Sequence, residues 1–113
     1  MKRKQALEDL IAKVEVGDIA KAPFWKVWVP EGQDGNLAYT AKQAASGSLD
    51  AAKALHEAVL CADDPQYGYL VGPMYARIVH PSCGTVCDAQ SNNPARAWLL
   101  AILRALHSME PDA

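Results

Sequence analysis

The stretch from Tyr67 to Met109 constrains the fold of this chain more than any other part of the sequence. It contains three short apolar segments separated by turn residues, followed by the helical pattern NNPARAWLLAILRALHSM. Asn93 suits a helix N-cap, and Pro94 suits the first helical position, where its missing N–H has no partner to lose. The sequence therefore predicts three strands and a closing helix: Tyr67–Val71, Met74–His80, Thr85–Ala89, and Pro94 to about Met109.

The turns between these strands predict how they pair. Gly72-Pro73 separates the first two strands, and Pro81-Ser82-Cys83-Gly84 separates the second from the third. Connections this short favour antiparallel hairpins. The closing helix carries a wide apolar face, so we expect it to lie across the sheet and to be mostly buried. The residues of that face are Trp98, Leu99, Ile102, Leu103, Ala105, Leu106 and Met109.

The N-terminal half predicts two helices and one irregular strand. Leu7, Leu10, Ile11 and Val14 recur at helical spacing, and Gly17 ends that helix. The segment PFWKVWVP, between Pro23 and Pro30, favours a short strand, and the prolines at its ends suggest an edge position or an irregular segment. Ser48 suits the N-cap of a second helix. The residues of this second helix that helical spacing turns inward are Leu49, Ala52, His56, Val59 and Leu60.

These elements predict one α+β domain over residues 1–113, in the order α-β-α-β-β-β-α. Helices that cover an antiparallel sheet of three or four strands form either a two-layer or an α/β/α sandwich. The length of 113 residues fits a single domain. Half of the residues are hydrophobic, which is too many for a disordered chain.

Composition also excludes several functional classes. No apolar run approaches the roughly 18 residues of a membrane-spanning helix. The net charge is −2, and no segment carries the dense lysine and arginine stripe of a nucleic-acid binder. Three cysteines, with no secretory signal, indicate reduced thiols and a cytoplasmic location. Membrane and nucleic-acid partners are therefore not expected, and a homo-oligomer stays open.

The only chemical cluster in the sequence is His80-x2-Cys83-x3-Cys87. His and Cys are zinc ligands, and Cys61 would complete a Cys3His set. The turn resembles a zinc knuckle, but structural zinc sites usually combine two such turns and only one is present. Two other interpretations stay open: a redox pair between Cys83 and Cys87, or thiols that pack as small hydrophobic groups. The last needs no cofactor, and we expect none.

No recognised catalytic motif is present, so we expect no enzymatic activity. The sequence lacks a nucleophile elbow, a phosphate-binding glycine loop, a dinucleotide fingerprint and a zinc-protease motif. Cys83 beside His80 would need an orienting group and an oxyanion site, and neither has a sequence signature. Its acidic residues are scattered, which gives no carboxylate pair for acid–base chemistry.

Aromatic residues instead suggest a surface for binding a protein. Trp25 and Trp28 lie in the PFWKVWVP segment, where alternation leaves one of them outward. Tyr69 and Tyr75 could extend such a surface, and Arg77 alternates with the same face as Tyr75. Aromatic residues and arginine dominate the energetics of protein interfaces. These five residues are the predicted binding site, with core packing as the alternative for the two tryptophans.

Four segments resemble, in order, a family of small proteins from tailed phages and prophages described as a phage αβα-sandwich domain. They are LEDLIAKVE, LAYTAKQ followed by SLDAAKAL, GYLVG followed by YARIV, and NPARAWLLAILRAL. The resemblance spans nearly the whole chain and implies a phage-encoded accessory protein without a known catalytic residue. The HPSCGTVC cluster and the double-tryptophan segment have no counterpart in that pattern.

Two functional hypotheses follow for a bacterial cytoplasm. The first is a non-catalytic protein that binds a host or phage protein, for example as an anti-defence inhibitor of the anti-CRISPR type. The second is a sponge for a nucleotide signal, for which Arg77, Arg96 and Arg104 are the available donors in the C-terminal half. A small structural-zinc protein is the third alternative, through the cysteine and histidine cluster.

Overall fold

The computed structural model describes residues 3–16, 36–61, 65–82 and 84–109. It contains helices α1 (Arg3–Glu15), α2 (Asn36–Ala45) and α3 (Leu49–Val59), strands β1 (Gly68–Val71), β2 (Tyr75–His80) and β3 (Gly84–Gln90), and helix α4 (Pro94–Met109). The predicted α+β class, the three consecutive strands and the closing helix are confirmed. The predicted strand between Pro23 and Pro30 and the predicted end of the first helix at Gly17 lie outside the described residues.

The three strands form an antiparallel sheet in the order β1-β2-β3. The β1–β2 hairpin closes at Gly72, whose N–H donates to the carbonyl of Tyr75 (2.8 Å). The register then places Tyr69 opposite Ile78 and Leu70 opposite Arg77. Between β2 and β3 a bulge follows Ile78, because Ile78 pairs with Cys87 whereas Val79 pairs with Thr85. Residues directly opposite one another share a face, so this register assigns each paired strand residue to one side of the sheet.

Helix α4 is the centre of the core. Asn93 caps it as predicted, since its Oδ1 accepts hydrogen bonds from the N–H groups of Ala95 (2.9 Å) and Arg96 (3.2 Å). The helix packs against β2 and β3 on one side and against α1, α2 and α3 on the others. It is therefore apolar around most of its circumference, as a helix buried between layers must be. Its buried residues are Ala95, Ala97, Trp98, Leu99, Leu100, Ala101, Ile102, Leu103, Ala105 and Leu106.

Helix α1 packs one apolar stripe against α4. Leu7, Leu10 and Val14 are fully buried, and Ile11 is partly buried at the margin of the core, as the helical spacing predicted. Two polar contacts join the exposed surfaces of the same helices. Arg104 Nη2 lies 2.8 Å from Glu15 Oε2, and His107 Nε2 lies 2.9 Å from Glu8 Oε1.

Helix α2 is an element that our sequence analysis did not predict. Gly47 (φ 115°) follows its C-terminus, and its N–H donates to the carbonyl of Ala44 (3.0 Å), while the Ser48 N–H donates to that of Gln43 (3.1 Å). These two bonds make a Schellman motif, which requires a left-handed residue that glycine adopts without strain. The guanidinium Nε of Arg96 also donates to the carbonyl of Ala45 (3.0 Å). The C-terminus of α2 is thereby fixed beside the start of α4.

Helix α3 begins directly after this turn. The Ser48 hydroxyl accepts from the Ala51 N–H (3.1 Å), which confirms the predicted N-cap. His56, Val59 and Leu60 are buried as predicted, together with Ala52. Leu49 is 45 % exposed, so its prediction as an inward residue was wrong. A helical side chain covers the turn that precedes it, and Leu49, as the first residue of α3, has no such turn to cover.

In the described part of the chain, the helices lie on one side of the sheet. Ala76, Ile78 and Ala89 are buried against α4, whereas Tyr75, Asp88 and Gln90, on the opposite side, are exposed. These residues therefore do not form the α/β/α alternative, and α4 lies between the sheet and the other three helices. We call the side that faces α4 the core face and the other side the outer face. None of the helices in the described ranges is long and apolar enough to cross a membrane.

Candidate functional site

The outer face is defined by the register of the three strands. Leu70, Arg77 and Asp88 stand side by side in one row across it. Tyr75 and Gln90 form a second row, and Val79 and Thr85 form a third. Its residues are Leu70, Tyr75, Arg77, Val79, Thr85, Asp88 and Gln90. Tyr75 and Arg77 share this face, as alternation along β2 predicted. The described helices leave it uncovered, so these side chains are available for contact with another molecule.

Exposed apolar side chains are concentrated on the β1–β2 hairpin. Large hydrophobic side chains are exposed at six positions in the described part of the chain, and four of these belong to this hairpin and its turn: Tyr69, Leu70, Met74 and Tyr75. Leu70 is 53 % exposed and Tyr75 is 43 % exposed. A single exposed leucine is ordinary on a protein surface, but a cluster of apolar groups more often marks an interaction site.

Two glycines in and beside β1 let side chains from β2 lie over it. A Cβ atom added at Gly72 would collide with the Tyr75 ring, so that ring occupies the space above Gly72. At Gly68 an added Cβ would stand 3.2 Å from Cγ2 of Val79. Tyr75, Leu70 and Val79 consequently form one apolar strip that follows β1 on the outer face, with Leu70 at its centre.

Arg77 lies beside this strip and has an unsatisfied hydrogen-bonding group. Its Nε is buried and has no hydrogen-bond partner. Asp88 stands directly opposite Arg77 in the register, yet no ion pair joins the two side chains among the described residues. A buried donor without a partner costs roughly 1–3 kcal/mol. Arg77 Nε is therefore a buried donor that no acceptor in the described part of the chain satisfies.

Shallow grooves adjoin these residues. One, of about 200 Å³, is lined by Tyr75, Arg77, Asp88, Ala89 and Gln90. Another, of about 440 Å³, lies at the end of the hairpin beside Met74, Tyr75 and Gln90. Between them they give the outer face an aromatic ring, a guanidinium, a carboxylate and an amide within a small area. A surface of this composition fits protein contacts, in which arginine and tyrosine are enriched.

The other predicted binding residues are placed differently. Tyr69 lies on the core face, where its ring packs against Trp98 (centroids 4.3 Å apart) and His56 (5.1 Å). The structure therefore separates Tyr69 from Tyr75 and Arg77, although 40 % of Tyr69 stays exposed at the edge of the sheet. Trp25 and Trp28 lie outside the described residues. Leu70, Asp88 and Gln90 escaped the sequence analysis because the register that places them beside Arg77 depends on the turns and on the bulge.

The three described residues of the predicted zinc set are occupied in other ways. The Cys61 thiol donates to the Tyr67 carbonyl (3.4 Å), and His80 Nδ1 lies 3.1 Å from the Ser82 N–H and 2.7 Å from its hydroxyl. Cys87 faces α4 from the core face and contacts the core. Among the described residues no group of three potential ligands could hold a metal ion. Cys83 lies outside them, so the four-ligand site and the Cys83–Cys87 redox pair stay predictions.

Burial also disfavours a reactive role for Cys87. It raises the pKa of the Cys87 thiol, and this effect exceeds the opposing influences of a hydrogen bond to Ser108 and of the Arg104 charge. A raised pKa reduces the thiolate fraction, which is the nucleophilic form. The contacts of Cys87 are those of a small hydrophobic side chain at the margin of the core.

His56 is a buried, neutral histidine with both ring nitrogens engaged. Trp98 Nε1 donates to His56 Nδ1 (3.4 Å), and His56 Nε2 lies 3.2 Å from the Tyr67 carbonyl. An indole N–H only donates and a carbonyl only accepts, so Nδ1 is unprotonated and Nε2 carries the proton. Burial lowers the pKa of His56. This histidine joins α3, α4 and the start of β1, and its role is structural.

Comparisons with known proteins give no relative. The chain matches no family model, no curated protein and no solved structure.

Proposed function

We propose that this chain is a non-catalytic binding protein whose outer face receives a partner protein, with Arg77 and Tyr75 as the main contacts. The single observation that carries this proposal is the buried, unpartnered Nε of Arg77 within a face that the described helices leave open. A buried donor without a partner is a local cost of the kind that proteins keep at functional sites, and an acceptor from a partner would offset it.

The surroundings of Arg77 favour a protein over a small anion. An exposed leucine, a tyrosine ring and an amide flank the guanidinium, and a carboxylate stands opposite it. Asp88 disfavours a phosphate at the same position, because two negative groups would then meet across β2 and β3. A carboxylate or backbone carbonyl of a protein fits beside apolar contacts to Leu70 and Tyr75.

The finer assignment is part of the same proposal and rests on the sequence resemblance. We propose a phage or prophage accessory protein, and interference with a bacterial defence system as its purpose. The support for it is the order of four short motifs along the chain and the small size of the protein. It acts in the bacterial cytoplasm under this proposal, where its thiols stay reduced.

Site-specific photocrosslinking tests the binding face directly. A benzophenone amino acid placed at Tyr75 should capture one protein from a bacterial lysate upon irradiation, because this side chain would lie inside the interface. The matched control carries the same group at Glu57, which is exposed on α3. Adding Arg77→Ala to the variant that carries the benzophenone at position 75 should abolish capture. Equal capture from both positions, or capture that survives Arg77→Ala, would rule out the outer face as the binding surface.

The same preparation tests the nucleotide-sponge alternative. The protein, purified without nucleotide, should show no excess absorbance at 260 nm over that of its aromatic residues. If the protein instead carried a nucleotide, and Arg77→Ala removed it, the proposed protein partner would be wrong and the ligand would be a small anion.

A further inference from the structure

The two edges of the sheet are protected to different degrees. Gly72 and Tyr75 form a hydrogen-bonded pair, and such pairs alternate with non-bonded pairs along an antiparallel ladder. Continuing this alternation along β1, the backbone groups of Leu70 point toward β2, whereas those of Tyr69 and Val71 point away from the sheet. The carbonyl of Tyr67 points the same way, which agrees with its hydrogen bonds to His56 and Cys61.

The edge formed by β3 is covered at one outward-facing carbonyl, that of Asp88. Arg104, on α4, donates from Nη1 to the carbonyl of Asp88 (2.9 Å). Along β1, the described residues supply such cover only at Tyr67. In the described part of the chain no strand pairs with the outer edge of β1, and no lysine or proline lies within Gly68–Val71 to discourage pairing. The N–H and C=O groups of Tyr69 and Val71 thus form a short, open edge.

We propose that this edge pairs antiparallel with the same edge of a second copy of the chain, about a two-fold axis at Leu70. The backbone pattern is symmetric about Leu70, because Tyr69 of one copy would stand opposite Val71 of the other. Each such pair exchanges two hydrogen bonds, so the dimer gains four. A two-fold interface requires this kind of self-complementary surface.

The side chains on the outer face are also arranged about the proposed two-fold axis at Leu70. Leu70 would meet Leu70 of the second copy on the axis, which covers side chains that are 53 % exposed in one chain. Gly68 would stand opposite Gly72 of the other copy, so no Cβ atoms crowd either end of the pairing. The Val79 side chain above Gly68 would then meet the Tyr75 ring above Gly72. The apolar strip of each copy therefore continues into that of the other.

The resulting six-stranded sheet would join the two outer faces into one surface with two Arg77 side chains. The pairing does not rest on the proposed partner protein, because it is a property of the purified chain alone. Pairing would extend no further than Gly68 to Gly72, since His56 and Cys61 already occupy the Tyr67 carbonyl. A short pairing of this kind predicts a dimer that dissociates on dilution.

Covalent trapping tests the axis. Leu70 of each copy would form a non-hydrogen-bonded pair with a Cα separation of about 4.5 Å, within the range for a disulfide. Under mild oxidation L70C should form a disulfide-linked dimer on a non-reducing gel. The matched control T85C carries its thiol on the outer face at the opposite edge and should stay monomeric, as should the wild-type chain with its native cysteines. No more dimer from L70C than from T85C would overturn the proposed axis.

Light scattering across a dilution series tests the dimer in the wild-type protein. The molar mass should rise with concentration from 12.2 kDa toward twice that value. Leu70→Lys should hold the mass at 12.2 kDa by placing two ammonium groups together, whereas Thr85→Lys should leave the rise unchanged. Circular dichroism should show that both variants are folded. A wild-type chain that stays monomeric at every concentration would overturn the proposal. Protection of the Tyr69 and Val71 amides from hydrogen exchange by an added extended peptide would not rescue it, because the occupant of the edge would then be a different molecule.

Discussion

The two faces of the sheet differ in whether their buried polar groups have hydrogen-bond partners. Behind the core face, the one buried polar side chain in the described residues, His56, has a partner at each ring nitrogen. On the outer face, the buried Nε of Arg77 has none. The apolar residues differ similarly, since Ile78 is fully buried while Leu70, on the neighbouring strand, is 53 % exposed. The buried polar side chain behind the first face is satisfied by described residues, whereas the second face keeps one buried donor without a partner among them.

This difference separates stability from function within one sheet. A core residue is fixed by the packing that surrounds it, and its replacement changes the free energy of unfolding. We expect an exposed residue of the outer face to contribute less to the free energy of unfolding. The following changes test that separation, beginning with the largest expected effect on the free energy of unfolding.

Truncation of apolar residues should distinguish the faces most strongly. Leu99→Ala removes a fully buried side chain from α4 and should cost about 2–5 kcal/mol of unfolding free energy, through lost burial and the cavity that remains. Leu70→Ala, on the outer face, should cost less than about 0.5 kcal/mol. Urea denaturation of a dilute sample, in which dimers are absent, measures both. Comparable losses for the two variants would mean that the outer face is packed against part of the chain.

Lowering the pH should destabilise the core through His56. Its folded-state pKa lies below the unfolded value of 6.5, so the unfolded chain binds the proton first as the pH falls. The contribution of His56 is fully present above pH 6.5 and declines below it, at no more than about 1.4 kcal/mol per pH unit for one proton. The decline continues until the pH passes the lowered folded-state pKa.

His56→Gln is the matched variant for this measurement. A glutamine amide can donate to the Tyr67 carbonyl and accept from Trp98, but it does not titrate. The difference in unfolding free energy between the two proteins should shrink between pH 7 and pH 5, while His80 and His107 contribute to both. A constant difference over this range would show that His56 is not held neutral by the fold.

The N-cap of α4 should contribute an intermediate amount. Asn93→Ala removes the acceptor of two backbone N–H groups and should cost about 1 kcal/mol. Asn93→Ser keeps a capping oxygen and should recover most of the loss. Thermal unfolding of both variants measures the effect. The Asn93 side chain also lies beside Gly47 in the α2–α3 turn, where an added Cβ atom would stand 3.0 Å from its Nδ2. If Asn93→Ser were as unstable as Asn93→Ala, this contact would be the more important one.

The exposed ion pair between α1 and α4 should contribute least. Glu15→Gln removes the pair with Arg104, whose side chains are 46 % and 36 % exposed, and should cost about 0.2–1 kcal/mol at low salt. The difference from wild type should shrink as salt is added, because exposed charges are screened. A loss that does not respond to salt would indicate packing of the Glu15 side chain as its cause.

The sequence predicted the elements with strong local signals. Asn93-Pro94 marked the start of α4, and glycine and proline turns marked the three strands. Helix α2 was missed, although Gly47-Ser48 joins a C-terminal glycine to an N-cap serine and so signals two adjacent helices. Leu49 was misplaced because periodicity does not account for a helix end.

The outer face was predictable only in part. Alternation along one strand correctly joined Tyr75 to Arg77, since it needs no knowledge of the neighbouring strands. The position of Tyr69 depends on the length of the β1–β2 turn, and those of Asp88 and Gln90 depend on the bulge after Ile78. Both are tertiary features with weak signals in a single sequence. The missing partner of Arg77 has no sequence signal, because it depends on the distance of every nearby acceptor.

The variant Arg77→Met tests the central claim most directly, because it keeps an unbranched apolar side chain as far as the position of Nε while removing the unsatisfied donor and the rest of the guanidinium. The account predicts that the free energy of unfolding stays equal or rises by about 1 kcal/mol, since a buried group without a partner is lost. It also predicts that a benzophenone at position 75 no longer crosslinks to the partner protein. A variant that loses stability and still captures the partner would show that Arg77 serves the fold and that the binding surface lies elsewhere.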